Sequence, residues 1–317
     1  MVALKMESDT VQAIYTAYAS AHDEDERTYL GASIIGEECW RKLWYGFRWA
    51  TVPEQFDGRM LRLFQTGHRE EARIIDDLRR SSVEVWETDP ETGGQFAVSE
   101  VGGHFKGHAD GIAIGVKEAP KTPHLLEVKT HNAKSFKKLL AEGVRMTKPL
   151  HYAQMQTYMH LLSLTRALYV AHGKDDDALY AERVEYDSVY AAQIVAKAQS
   201  IITAARPPQK LHEDPTRKMA FGCVYCPALS VCHQGAWPRR NCRTCIEATP
   251  KLDGDGRWFC EHHKQDLTKE DQKQGCKAHR LIPELVNGEQ VDCDPEKRTI
   301  VYAMNDGSTW VDGENHE

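Results

Sequence analysis

The chain has 317 residues, of which 27% are charged and 41% hydrophobic, a length sufficient for one large domain with a small additional module. Its formal net charge of −7 argues against a protein that coats nucleic acid non-specifically, because such binding depends on neutralising phosphates. No segment approaches the roughly 20 apolar residues of a membrane span, and no signal-peptide pattern is present at the N-terminus. We therefore expect a cytoplasmic protein without a membrane partner.

Cysteine is distributed unevenly along the chain. All nine cysteines except Cys39 lie after residue 220. In a reducing compartment, cysteines of this kind are metal ligands more often than disulfides. We therefore predict one domain over residues 1–236 and a metal-binding module over residues 237–317.

The first third of the chain is predicted to be largely helical. Residues 8–20 have the pattern of a short helix, and a stronger helical pattern runs from about residue 59 to residue 80. Glu71 falls on the apolar stripe of this second helix, between Phe64 and Ile74. Its position is informative because burying an unpaired charge is costly.

Short β segments separated by Gly and Pro follow between residues 82 and 130 and predict a meander of mostly antiparallel strands. They are SVEVWET, GQFAVSE, HFKGHADGIAIGV and HLLEVKT. Helices are then predicted at 133–142, 150–163 and 187–205, with strands at ALYVAH and ALYAERVEY between the last two. This alternation is typical of an α/β domain.

Three carboxylates and a lysine form the strongest candidate site. Glu127 and Lys129 are two residues apart on a predicted strand, so their side chains leave the same face. Asp110 precedes the neighbouring strand of the meander and is expected beside Glu127. Glu71 would join them from the helix.

These residue types suit the hydrolysis of a phosphodiester. Carboxylate oxygens bind Mg²⁺ or Mn²⁺, which polarise the phosphate and activate water, while an ammonium can orient the nucleophile or offset developing charge. The backbone carbonyl of Val128 could complete the coordination. Taken alone, Glu127 and Lys129 would more often be an ion pair on a solvated strand.

The order of these residues resembles the core of the PD-(D/E)xK nucleases. Asp110 followed by Glu127, Val128 and Lys129 matches its motif, although Ala109 replaces the usual proline. The resemblance implies an α/β fold with a mixed central sheet flanked by helices, and catalytic roles for Asp110, Glu127 and Lys129.

Two further features are similar to the RecB-like branch of that superfamily. Gln154 and Tyr158 match its Q-x-x-x-Y motif, and Gly67 with Glu71 matches the spacing of its additional acidic residue. The resemblance implies exonucleolytic hydrolysis of DNA that leaves a single strand for a recombination or annealing protein. It also implies that Gln154 and Tyr158 contact the DNA backbone.

The first group of cysteines is Cys223, Cys226 and Cys232, which supply only three ligands. Cys39 before the core and these three after it resemble the split arrangement of AddB and of RecB-like CRISPR-associated nucleases. That resemblance implies a [4Fe–4S] cluster. A structural zinc in the same place is the alternative.

The second group begins with the knuckle of Cys242 and Cys245, and Cys260 follows a turn-rich stretch. This spacing suits a tetrahedral zinc site. Cys276 is favoured as the fourth ligand, with His279 and His263 as alternatives. Cys293 is expected to be an unligated thiol.

The tail also resembles a short zinc-ribbon-like module that is appended to nucleases of bacteriophages. The shared features are W-x-C at 258–260, G-C-x-x-H at 275–279 and I-P at 282–283. The implied function is thus a phage-type exonuclease that generates single strands.

Two other functions fit the same sequence. One is a CRISPR-adaptation nuclease, and the other is a non-catalytic DNA-binding regulator on a nuclease scaffold, against which the complete Asp110, Glu127 and Lys129 set speaks. Two basic clusters, at Lys134, Lys137 and Lys138 and at Arg239, Arg240 and Arg243, could hold phosphates but alone are typical of solvated surface.

Overall fold

The computed structural model describes residues 8–22, 26–53 and 55–313, which have a mixed α/β fold with several sheets. They divide into two compact units built from discontinuous segments. The first unit draws on residues 1–26, 54–98 and 108–188, and the second on residues 27–53, 99–107 and 189–317. This division differs from the boundary predicted between residues 236 and 237, because two early segments join the C-terminal part of the chain.

The elements up to residue 173 are α1 (Asp9–Ser20), β1 (Leu30–Gly31), α2 (Trp40–Phe47), α3 (Gly58–Arg80), β2 (Glu84–Trp86), β3 (Ala97–Glu100), β4 (Phe105–His108), β5 (Gly111–Ile114), β6 (His124–His131), α4 (Ala133–Thr147), α5 (Pro149–Leu161) and β7 (Arg166–Gly173). The remaining elements are β8 (Leu179–Glu185), α6 (Ser188–Thr203), α7 (Phe221–Val224), α8 (Leu229–His233), β9 (Ala248–Pro250), β10 (Trp258–Cys260), β11 (Gln265–Leu267), α9 (Lys269–Lys273), β12 (Gly288–Asp294), β13 (Thr299–Met304) and β14 (Thr309–Asp312). None of the described helices combines the length and apolar character that crossing a membrane requires.

A five-stranded sheet in the order β2-β5-β6-β7-β8 forms the centre of the first unit. Its strands are antiparallel except for β6 and β7, which pair in parallel, so the sheet is mixed. The single meander predicted for residues 82–130 is wrong in one respect. Strands β3 and β4 leave this sheet and form a small separate sheet with β1.

The alternation of β6 decides which of its residues enter the core. Leu126 and Val128 pack with Ile74 and Ile75 of α3, while Glu127 and Lys129 leave the opposite face. Burying branched side chains on one face contributes roughly 1.5–3 kcal/mol each. Because Leu126 and Val128 point into the core, the alternating side chains of Glu127 and Lys129 are directed to the opposite face of the sheet.

Helix α3 matches the predicted helix in its extent but only partly in its buried stripe. It begins after Asp57, whose carboxylate accepts a hydrogen bond from Met60 N at 2.7 Å. Gly58 lies against the backbone of Tyr15, where a side chain would clash. Phe64, predicted to be buried, is exposed and packs edge-on against Phe56.

Helix α5 is buried on all sides over most of its length. Residues 152–159 are all buried, including the polar side chains of Gln154, Gln156 and Thr157. Each of these polar groups has a hydrogen-bond partner within the first unit. Pro149 at the first turn suits the start of such a helix.

The second unit is organised around Arg243, which is completely buried. Its guanidinium lies 3.8 Å from the ring centroid of Trp49 and 4.8 Å from that of Trp258. It donates hydrogen bonds to Phe47 O, Thr28 O and Gln272 Oε1. These bonds explain why residues 27–53 belong to the same unit as the C-terminal segment.

Two small antiparallel sheets complete the second unit, β11-β10-β9 and β12-β13-β14. The expectation that residues after 220 lack an apolar core is wrong in part. Leu281, Val286, Ile300 and Tyr302 form a buried cluster in this region. The cluster is small, so the polar bonds of Arg243 remain important to this unit.

Candidate active site and thiol-lined cavities

The structure brings Asp110 and Glu127 together at the edge of the β5–β6 pairing. Gly111 pairs with Leu126, which places Asp110 opposite Glu127 where the ladder ends. There, Asp110 Oδ2 accepts a hydrogen bond from Val128 N at 2.9 Å. The carboxylate thus replaces a strand carbonyl, and its position is fixed by the backbone.

Lys129 lies at the centre of the same group of oxygens. Its Nζ is 2.5 Å from Glu127 Oε1 and 3.7 Å from Asp110 Oδ2, and it donates to Val128 O at 3.0 Å. Burial opposes the charge, but Glu127 and Asp110 outweigh it and hold the pKa of Lys129 above its ordinary value. Lys129 is therefore a cation surrounded by three oxygen atoms, of Glu127, Asp110 and Val128.

Two carboxyl groups of the site are hard to ionise in the absence of a further cation. Burial, opposed by Lys129 and reinforced by Asp110, raises the pKa of Glu127 to about 7. Burial and the neighbouring Asp110 likewise raise the pKa of Glu71 to about 7. Glu71 is half-buried on α3 and interacts electrostatically with Asp110 and Lys129.

Gln154 and Tyr158 face this site from α5. Gln154 Nε2 donates to Glu127 Oε2 at 3.2 Å, and Tyr158 forms a hydrogen bond with the side chain of Gln154. Both are buried. Burial, reinforced by Glu127 and Asp110, raises the pKa of the Tyr158 hydroxyl, so this group is neutral. The two residues therefore position Glu127 in the structure as it stands.

A second polar row extends the site and was missed from the sequence. Tyr169, the register partner of Glu127 on β7, is completely buried. Its hydroxyl lies 2.9 Å from His131 Nε2 and 2.9 Å from His151 Nδ1. Both histidines could have been predicted from the sequence. His131 lies on the same face of β6 as Lys129, and His151 lies three residues before Gln154 on α5.

Both histidines of this row are neutral. Burial, with smaller contributions from Lys148 and Lys129, lowers the pKa of His131 to about 4. Burial and Lys129 similarly lower the pKa of His151 to about 3. His131 Nδ1 lies 3.2 Å from Ser135 Oγ, which also contacts Lys148 Nζ. The row is thus a continuous set of hydrogen bonds from the strand to α4.

The donor set suits a divalent metal ion, although it is not a closed cage. Among the described residues, no three His, Cys, Asp or Glu side chains are arranged tightly enough to hold an ion. Oxygens of Asp110, Glu127 and Val128 nevertheless surround one ammonium, and hard oxygens are what Mg²⁺ and Mn²⁺ prefer. A cation there would also lower the pKa values of Glu71 and Glu127 towards their ordinary values.

The first group of cysteines lines one cavity in the second unit. Cys39, Cys223, Cys226 and Cys232 all contribute to it, as the split spacing predicts. Cys39 precedes α2, and its Sγ accepts a hydrogen bond from Lys42 N at 3.4 Å. The cavity measures about 20 Å³, which is space for about one water molecule.

The second group of cysteines lines a larger cavity of about 210 Å³. Its walls include four thiols and two of the histidines considered from the sequence, namely Cys242, Cys245, Cys260, Cys276, His263 and His279. Burial, reinforced by the other three thiols, raises the pKa of Cys242 to about 12. A thiol so placed needs a cation to ionise, which is the chemistry of a zinc ligand.

The surroundings of this cavity favour Cys276 as the fourth thiol. Cys276 interacts electrostatically with Cys242 and Cys245. His279 instead uses Nε2 in a 3.0 Å contact with Asn241 O. The backbone N of His263 donates to Cys260 Sγ at 3.4 Å, as amides often do around metal-bound thiolates. Cys293 is exposed on β12 and lines neither cavity.

No family model matches the chain. No curated protein matches it either. Among solved structures, it is similar to LHK-Exo in complex with dAMP, with 18% identity and a TM-score of 0.41, over 60% of this chain and 90% of that one. An alkaline exonuclease (LHK-Exo) from Laribacter hongkongensis gives 16% identity and a TM-score of 0.40, over the same shares of the two chains. The structure of SSO0001 gives 17% identity and a TM-score of 0.39, over 72% of this chain and 98% of that one. Similarity at this level establishes neither the fold nor the activity of this chain.

Proposed function

We propose that the protein is a metal-dependent DNA exonuclease of the PD-(D/E)xK type. The observation that carries this proposal is the convergence of Asp110, Glu127 and the Val128 carbonyl around Lys129. Asp110 immediately precedes β5, Glu127 and Val128 lie within the adjacent strand β6, and together with Lys129 they match the sequence motif in order and spacing. An ordinary strand ion pair would not require an aspartate that replaces a backbone carbonyl at the end of the ladder.

The side chains have distinct roles in the proposed hydrolysis. Asp110, Glu127 and Val128 O would hold Mg²⁺ or Mn²⁺, with Glu71 completing the acidic group. The metal, when bound, supplies polarisation of the phosphate and a water of lowered pKa. Lys129 then offsets the charge that develops on the phosphate, and the Asp110 contact with Val128 N keeps the acceptor atoms in place.

Gln154 and Tyr158 have a positioning role in this scheme. The motif implies contact with the DNA backbone, but the amide of Gln154 is already bonded to Glu127, and Tyr158 is bonded to Gln154. Contact with DNA would require Gln154 to release Glu127. In either case, these two residues link the hydrogen bonding of the Glu127 carboxylate to the face of α5 that would contact DNA.

We also propose that both thiol-lined cavities hold metals. The second takes zinc on Cys242, Cys245, Cys260 and Cys276. For the first, the resemblance of the split spacing implies a [4Fe–4S] cluster, and a structural zinc is the alternative. Absorbance at visible wavelengths decides between them, because a cluster is coloured and zinc is not.

The activity itself is tested with end-labelled linear DNA. We expect progressive degradation with Mg²⁺ or Mn²⁺, and a single-stranded product that a recombination or annealing protein could use. Ca²⁺ should bind without supporting cleavage, because it does not enforce tight coordination of water. Undiminished digestion in excess EDTA would overturn the proposal, as would full activity of Asp110→Asn.

A further inference from the structure

A row of three aromatic rings in the second unit runs from its core to its surface. Tyr302 is buried and is the register partner of Trp310 across β13 and β14, with ring centroids 5.5 Å apart. Trp310 in turn meets Trp237 edge-on, at 4.7 Å between centroids. Trp237 is 52% exposed. The exposed ring is thus supported from below by two others.

The outer rings border a surface cavity of about 300 Å³ that also has a cationic wall. Pro238 and Arg240 line it beside Trp237 and Trp310. Arg240 donates to Cys276 O at 2.9 Å, and among the described residues it takes part in no ion pair. One side of its guanidinium is therefore fixed. The carboxylate of Asp312 also lines the cavity and accepts a hydrogen bond from Leu281 N.

The cavity is held in shape by neighbouring backbone contacts. Asp312 accepts a hydrogen bond from Leu281 N at 2.6 Å, which ties β14 to the segment that precedes β12. Pro238 restricts its own backbone and that of Trp237. A single exposed tryptophan needs no explanation. Trp237 does need one, because its ring is the outermost of three packed aromatic rings and lies in the same cavity wall as an arginine.

We propose that Trp237, Trp310 and Arg240 bind single-stranded DNA, an inference that rests on the proposed function. An unpaired base has a flat face that stacks on an indole, and its phosphate carries the charge that Arg240 would meet. A base in a duplex offers no free face, so the surface should distinguish single strands from double strands.

The test is binding of a fluorescein-labelled oligothymidylate, followed by anisotropy with Ca²⁺ in place of Mg²⁺ or Mn²⁺, so that cleavage does not occur and zinc is not chelated. We expect Trp237→Ala to weaken binding about tenfold, as loss of one stacked base does, and Trp237→Phe to stay close to wild type. Arg240→Ala should weaken binding and lower the salt dependence by about 0.7, the value for one phosphate contact on a single strand. Affinity for a blunt duplex should not change.

Two control variants match the exposure of the altered residues. Val291→Ala removes an exposed apolar side chain from β12 of the same sheet, and Lys297→Ala removes an exposed cation next to β13. Neither should reduce binding beyond twofold. Equal affinity of wild type and Trp237→Ala would overturn the proposal, and so would equal losses for Arg240→Ala and Lys297→Ala.

The outcomes separate this proposal from the nuclease proposal. Binding in Ca²⁺ does not depend on cleavage, so an inactive protein whose binding still responds to Trp237 refutes only the nuclease. A protein that cleaves DNA but binds oligothymidylate equally well without Trp237 refutes only the proposal that this surface binds single strands. Zinc content and circular dichroism report whether Trp237→Ala folds, and if it does not, Arg240→Ala decides.

Discussion

The two units bury charge in opposite ways. In the first, Glu127 is completely buried beside Lys129 and Asp110, and its pKa rises to about 7. In the second, Arg243 is equally buried, yet all three of its nitrogens donate hydrogen bonds and its plane lies on aromatic rings. The first charge is under electrostatic strain and the second is satisfied.

This difference indicates what each charge is for. A buried group that is left under strain marks a place where a ligand of opposite charge completes the environment. A buried group whose donors are all used instead joins segments of the chain. We therefore expect changes at Glu127 and Lys129 to affect chemistry and changes at Arg243 or the thiols to affect folding.

Removal of a thiol ligand should give the largest effect, because binding of a structural zinc contributes about 10–16 kcal/mol to folding. We expect Cys242→Ser to lose zinc and Cys39→Ser to lose the metal of the first cavity. If that metal is an iron–sulfur cluster, only Cys39→Ser bleaches the visible absorbance. Metal analysis of the purified proteins measures both results.

Cys293→Ser is the matched control for these variants, since Cys293 is exposed and lines neither cavity. Its metal content should equal that of wild type. Retention of a full complement of zinc by Cys242→Ser would refute the second site. A colourless wild-type protein with two equivalents of zinc, stable in air, would refute the cluster and leave the other assignments intact.

Arg243→Met should destabilise the second unit by about 3–5 kcal/mol, because it leaves buried oxygens of Phe47, Thr28 and Gln272 without a donor. Hydrogen exchange should accelerate in peptides covering 27–53 and 241–272. Arg257→Met, which removes exposed ion pairs to Asp253 and Asp266, should have little effect on the stability of this unit. Equal exchange rates in the two variants would mean that Arg243 does not organise this unit.

Much of the first unit could be predicted from the sequence because its patterns are local. The period of two on β6 correctly places Glu127 and Lys129 on one face, and the spacing of apolar residues predicts α3 within one residue of its bounds. The departure of β3 and β4 from the sheet was not predictable in this way. Their alternation is the same whichever sheet they join.

The composition of the second unit could not be read from local patterns. The bonds of Arg243 to Phe47 and Thr28 span about two hundred residues, and a single arginine next to a cysteine knuckle carries no sign of its distant acceptors. The sequence instead favoured a solvated basic cluster for Arg239, Arg240 and Arg243. Burial of Arg243 shows that this interpretation was wrong for that residue.

Lys129→Ala should reduce turnover by roughly 10²–10³-fold, which is the usual cost of removing one group that stabilises developing charge. The fold should be retained, because Lys129 lies outside the apolar cluster of Leu126 and Val128. Initial rates on end-labelled DNA and a thermal melt measure the two effects. Lys134→Ala, which removes an exposed lysine at the start of α4, should have normal turnover. Unfolding of Lys129→Ala would instead favour a structural ion pair.

The smallest effect, and the one most specific to the strain at Glu127, concerns pH. The folded state raises the pKa of this carboxyl from 4.5 to about 7, so it binds a proton more tightly than the unfolded chain does. Stability of the metal-free protein is therefore lost as pH rises from about 4.5 to about 7. The full loss is on the order of 3 kcal/mol.

Glu127→Gln cannot ionise and should escape this loss. The difference in unfolding free energy between Glu127→Gln and wild type, measured without added Mg²⁺ or Mn²⁺, should shift in favour of the variant between pH 5 and pH 8. Contributions of His131 and His151, whose pKa values are lowered, oppose the trend but are present in both proteins. Glu142→Gln, which alters an exposed carboxylate on α4, should show no such shift. Added Ca²⁺ should remove the shift from wild type, because a cation stabilises the ionised carboxylate. A pH-independent difference would mean that Lys129 already satisfies Glu127, and the site would then lack the strain that distinguishes it from Arg243.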